Sequence, residues 1–132
     1  MLNIILTNKK IALTAFVAYF FLVIFLSLHT FEQDPDRIKI ENFDKFVHFC
    51  FYFGMSILFM HLLNVKPIKN KKFMIPITLV FVVFVGVAIE FVQPHFNRSS
   101  DVFDVVANST GTVVGTILYT LIAKKTKCLK FL

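Results

Sequence analysis

The stretch Phe73–Gln93, FMIPITLVFVVFVGVAIEFVQ, decides the fold. It runs without a charge until Glu90, and Pro76 sits in its first turn, where the missing N–H costs little. A membrane span needs roughly 17–25 residues, because each adds only about 1.5 Å of helix rise. The segment from Phe73 to Val92 meets that length. Working outward, Phe46–Leu63 and Ile11–Leu28 precede it and Val102–Ala123 follows, each again long enough to span. The connections are short, so neighbouring helices should run antiparallel. The predicted fold is therefore all-α: one four-transmembrane-helix antiparallel bundle occupying residues 1–132 as a single domain.

Composition agrees. Hydrophobic residues make up 57% of the 132-residue chain and 18 residues are Phe, more than a soluble domain of this size can hide. The first span follows Lys9 and Lys10, like a signal peptide. Its apolar run is too long for one and no small-x-small site follows Leu28, so it is expected to be retained. Cys50 falls inside the second span and Cys128 in the terminal tail, at opposite predicted sides. Neither a disulfide nor metal-type spacing is indicated.

Charge orients the bundle. Lys9 and Lys10 precede span one, Lys66, Lys69, Lys71 and Lys72 crowd the second loop, and Lys124, Lys125, Lys127 and Lys130 follow span four. The positive-inside rule puts these regions, and both termini, in the cytoplasm. The lysines set topology and attract anionic lipid; no basic fold remains for nucleic acid. The first loop, with Glu32, Asp34, Asp36 and Glu41, and the third loop, Pro94 to Asp101, then face outward.

Ionisable and amide residues collect at that outer end. Asp44, His48 and Tyr52 are spaced by four, Glu90 and Gln93 by three, and Asp101, Asp104, Asn108, Gly111 and Gly115 follow one stripe of the fourth helix. Residues three or four apart share a helix face, so each helix turns a polar edge in one direction. A carboxylate inside a span costs roughly 2.5–3.5 kcal/mol unless compensated. Asp104 lies just inside span four, with Lys45 and Arg98 as the expected compensating cations. Asp44, one turn before His48, is placed to orient its ring. Gly111 and Gly115 allow a close helix approach, with Gly86 and Gly54 as matching small positions. His48, Glu90 and Asp104 form a chemically sensible acid–base set. A divalent cation held by Glu90, Asp104 and His48 is the lesser alternative because no compact ligand motif is present, so no metal and no cofactor are expected.

Three blocks read in order resemble the VanZ-like family of small bacterial membrane proteins. They are Asp44-Lys45-x-x-His48-Phe49, Glu90-x-x-Gln93, and Arg98 followed after five residues by Asp104, Asn108 and Gly111. The resemblance spans roughly Asp44 to Gly115. The residue before this family's arginine is often glycine; here it is Asn97. The resemblance implies a helical protein of the bacterial inner membrane. Its founding member is associated with resistance to the glycopeptide teicoplanin by a mechanism that is not established. By analogy Asp44, Lys45, His48, Glu90, Gln93, Arg98, Asp104 and Asn108 are the signature positions.

Three functions compete. The first is binding or processing of an amphipathic envelope molecule at the outer leaflet: a lipid-linked cell-wall intermediate, a phospholipid or a glycopeptide. In it Lys45 and Arg98 would hold phosphate or carboxylate, and Asp104, Asn108 and Gln93 would receive hydroxyl or amide groups. The second is a membrane enzyme with His48 or Glu90 as base and Asp104 as orienter, although no nucleophile elbow surrounds Ser99 or Ser100. The third is an accessory or scaffold subunit whose polar set is a structural ion-pair network.

Overall fold

The computed structural model describes residues 8–29, 42–66 and 71–125. They form four helices: α1 (Lys9–Leu28), α2 (Phe43–Val65), α3 (Met74–Val92) and α4 (Val102–Lys125). Short 3-10 turns at Lys71–Phe73 and Gln93–Phe96 flank α3, and no strand occurs among the described residues. All four helices are long and apolar enough to cross a membrane. The acidic first loop, Lys69, and the tail carrying Cys128 lie outside the described residues.

The helix ends follow local chemistry. Asn8 caps α1, its Oδ1 accepting from the N–H groups of Lys10 and Ile11 at 2.9 and 3.4 Å. Asn97 ends the turn after α3 with φ 56°, in the left-handed region. Asparagine tolerates that conformation better than most residues, which accounts for a polar residue where glycine is the common solution.

Contacts fix the directions. The start of α2 meets the end of α3 and the start of α4 through His48, Glu90 and Asp104, and the end of α1 meets the loop before α4 through Arg98. At the opposite end, His61 near the close of α2 approaches Tyr119 near the close of α4 at 3.4 Å. The helices therefore run alternately up and down.

The most extensive pairing is α2 with α4. It depends on glycine: a Cβ on Gly111 would strike the Phe49 carbonyl oxygen, and one on Gly115 the Phe53 carbonyl and the Ser56 hydroxyl. In lipid, where burial of apolar surface gives little driving force, such backbone contact is a main source of helix association. Gly86 faces Tyr52 and Asn108 instead, and Gly54 faces the Tyr19 ring, so neither is the partner of Gly111 and Gly115 that their spacing suggests. The hydroxyls of Thr112, Thr116 and Thr120 each donate to the carbonyl four residues earlier at 2.8 Å, so none is left unpaired between helices.

Helix α1 lies against α2 and α3, burying Ala12, Phe16 and Val23 on Tyr52, Met55, Val82, Val85 and Ile89. The Tyr19 hydroxyl donates to the Phe51 carbonyl at 3.2 Å. Large apolar side chains such as Phe21, Phe84, Phe91 and Phe103 point outward. So does the free thiol of Cys50. Lipid is the solvent that suits that surface.

Candidate functional site: a polar cluster among α2, α3 and α4

The cluster has a rim and a floor. At the rim, Lys45 Nζ lies 3.0 Å from Asp101 Oδ2, 3.2 Å from Asp44 Oδ2 and 3.7 Å from Asp104 Oδ1. Lys45 thus serves three carboxylates. Asp101, just ahead of α4, also accepts from the Phe103 backbone N–H at 2.9 Å. That hydrogen bond and the Lys45 ammonium hold the Asp101 carboxyl below the usual carboxylate range.

The floor lies one turn deeper. His48, Glu90, Asp104 and Asn108 are each no more than 5% exposed, and each comes from the polar edge of its helix. His48 Nδ1 stands 3.1 Å from Asn108 Oδ1 and 3.7 Å from Glu90 Oε1, while Nε2 stands 3.9 Å from Asp104 Oδ2. An amide oxygen only accepts, so the Asn108 contact places a proton on Nδ1 and turns the Nε2 edge toward Asp104. Glu90 Oε2 accepts at 3.4 Å from the Ser100 hydroxyl and from the Asp101 backbone N–H.

Three floor atoms, Glu90 Oε1, Asp104 Oδ1 and Asn108 Nδ2, make no hydrogen bond among the described residues, and neither does the hydroxyl of Tyr52, one turn after His48 on α2. Buried polar atoms are usually satisfied, because leaving one unpaired costs about 1–3 kcal/mol. Ser27 Oγ and Gln93 Oε1, beside the end of α1, share that property, so the cluster holds most but not all of these atoms.

Two assignments made from spacing change. Asp44 does not orient His48; it pairs with Lys45 on the exposed rim, and Asn108 orients the ring. Arg98 does not compensate Asp104. Its Nη1 donates to the carbonyls of Leu26 and His29, at 3.3 and 3.2 Å. Gln93 does likewise, donating from Nε2 to the Ser27 carbonyl at 3.2 Å. Arg98 and Gln93 together satisfy carbonyls that the end of α1 leaves open. They fasten α1 beside the cluster and do not line its floor.

Sequence reasoning left Tyr52, Ser100 and Asp101 outside the set of site residues. Tyr52, four residues after His48, and Asp101, three before Asp104, carried a spacing signal. Ser100 carried none, since it reaches Glu90 only through the turn of the third loop. His48, Glu90 and Asp104 each offer one ligating atom within 4.8 Å of the others. They stand on three different helices, which is why no compact motif announces them.

Comparison with known proteins gives one result. A family model described as VanZ/LLP1 matches residues 3–123. No curated protein and no solved structure matches the chain. The match covers nearly the whole chain, including every residue of the rim and floor, and the chain belongs to the VanZ/LLP1 family.

Proposed function

We propose that this multi-pass membrane protein receives the polar headgroup of an amphipathic envelope molecule in the cluster at the ends of α2, α3 and α4. Lipid-linked cell-wall intermediates, phospholipids and glycopeptides share the needed chemistry: a polar head on an apolar body that the surrounding lipid accommodates. The observation that carries this reading is the set of buried polar atoms on Glu90, Asp104, Asn108 and Tyr52 that make no hydrogen bond among the described residues, beneath a partly exposed rim. The extracytoplasmic placement is supported by the opposite, lysine-bearing ends of the helices, with Lys9, Lys10, Lys66, Lys72 and Lys125.

The geometry narrows the ligand chemistry. Arg98 is engaged with α1 and Lys45 is shared among three carboxylates. Glu90, Asp104, Asn108 and Tyr52 remain, and they suit hydroxyl, amide or ammonium groups better than a bare phosphate. A second reading, acid–base processing of that headgroup, is favoured by His48 standing between two carboxylates, 3.7 Å from Glu90 and 3.9 Å from Asp104.

Native mass spectrometry of the protein purified from its own membranes tests the binding reading. A retained amphipathic molecule should be lost on Asn108→Ala and kept on Val80→Ala, a change on the exposed face. Equal lipid retention by both variants would contradict it. Conversion of that molecule by the wild type, abolished in folded His48→Ala, would favour processing.

A further inference from the structure

The geometry points to a divalent transition-metal site formed by His48, Glu90 and Asp104, one ligand from each of α2, α3 and α4. The inference is separate from the headgroup reading and is tested without any lipid.

The ligand set is the first argument. One imidazole and two carboxylates present atoms within 4.8 Å of one another. Tetrahedral ligands about 2.1 Å from an ion stand about 3.4 Å apart, so closure asks for side-chain rotations of about an ångström. Imidazole with carboxylate suits zinc, manganese or ferrous iron; an all-oxygen set would suit calcium or magnesium.

Charge is the second. Glu90 and Asp104 are buried inside helices that cross a membrane, 3% and 5% exposed. Lys45, which pairs with Asp104, is closer to Asp101 and Asp44 than to Asp104. Among the described residues Glu90 receives two long hydrogen bonds of 3.4 Å, with His48 Nδ1 at 3.7 Å. A divalent ion would neutralise both carboxylates at once and leave Lys45 to the other two. The near-complete burial of the three groups also suits a small ion.

The surroundings are the third. A metal-bound histidine ordinarily donates its second ring N–H to a fixed acceptor. Asn108 Oδ1 is such an acceptor, 3.1 Å from Nδ1, and it leaves Nε2 on the Asp104 side. The Tyr52 hydroxyl is fully buried and makes no hydrogen bond among the described residues.

The test uses the full chain in detergent, with any affinity tag removed and metal stripped by a chelator. Dialysis against Co²⁺ or Zn²⁺ and elemental analysis should give about one ion per chain. X-ray absorption of the loaded wild type should show nitrogen and oxygen ligands with no sulfur. Glu90→Gln and Asp104→Asn should each weaken binding more than about tenfold, and Asn108→Ala roughly ten- to a hundredfold, with helical circular dichroism retained. Val80→Ala, on the exposed face of α3, should bind as wild type does. Failure of the folded wild type to take up a stoichiometric ion would overturn the site. So would affinity for Co²⁺ unmoved by Glu90→Gln and Asp104→Asn, or uptake of calcium alone.

Discussion

His48 Nδ1 stands 3.1 Å from Asn108 Oδ1, joining α2 to α4 across 60 residues of sequence. The contact is buried and forms part of the floor shared with Glu90 and Asp104. It is the hydrogen bond that sets which edge of the imidazole faces Asp104.

That contact predicts a measurable coupling. His48→Ala and Asn108→Ala should be non-additive, with a coupling energy of roughly 0.5–2 kcal/mol in a double-mutant cycle read from reversible unfolding in micelles. Strict additivity would mean that the two side chains do not interact in the folded bundle.

Gly111 and Gly86 should respond differently to alanine. The neighbour a Cβ meets at Gly111 is the Phe49 carbonyl, which belongs to the backbone and moves only if α2 moves. At Gly86 the neighbours are the Tyr52 and Asn108 side chains, at 3.1 and 3.3 Å. Gly111→Ala should therefore cost about 1–3 kcal/mol. Gly86→Ala should cost less, because better helix propensity offsets mild crowding by up to about 1 kcal/mol. Thermal unfolding in detergent orders the two, and a larger loss at Gly86 would contradict the packing described for α2 and α4.

Arg98→Ala should loosen α1 selectively. Its Nη1 holds the Leu26 and His29 carbonyls, and hydrogen bonds to charged groups contribute roughly 1.5–3 kcal/mol. Amide exchange near the end of α1 should accelerate about tenfold or more, while α2 and α4 hold their protection. Uniform acceleration throughout the bundle would place Arg98 in the core network.

Acid should act through Asp101. Its carboxyl is held low by the Phe103 N–H and by Lys45. A group whose folded value is depressed stabilises above its unfolded value, near 3.9, and loses that contribution as pH falls through the folded value. The stability difference between wild type and Asp101→Asn should stay constant from about pH 7 to 5 and shrink below about pH 4. A difference that grows on acidification would have the wrong sign.

Much of this was legible in the sequence. Hydrocarbon thickness imposes a length on every span, so Phe73–Val92 and its three companions stood out, with observed ends displaced by only a few residues. The four-residue spacing of Asp104 and Asn108 disclosed a polar face because helices have one period. Pairing across helices was less legible. Arg98 carries a charge that suits Asp104, yet the turn through Asn97 carries it to α1, and no periodicity reports on a loop. Asp44 shares its helix face with His48 by spacing. The stronger pull on it is Lys45, which Asp101 and Asp104 also draw to the rim. Tyr52 was visible as a position four residues from His48, but no spacing reports that its buried hydroxyl makes no hydrogen bond among the described residues.

Sidedness is the claim on which the headgroup reading stands, and cysteine accessibility in intact cells tests it most directly. In a Cys50→Ser, Cys128→Ser background, Ser99→Cys sits in the exposed loop beside the rim and Lys66→Cys at the opposite end of α2. A membrane-impermeant maleimide should label the first without lysis and the second only after permeabilisation. Labelling of Lys66→Cys in intact cells, with Ser99→Cys reached only from the cytosol, would contradict the account.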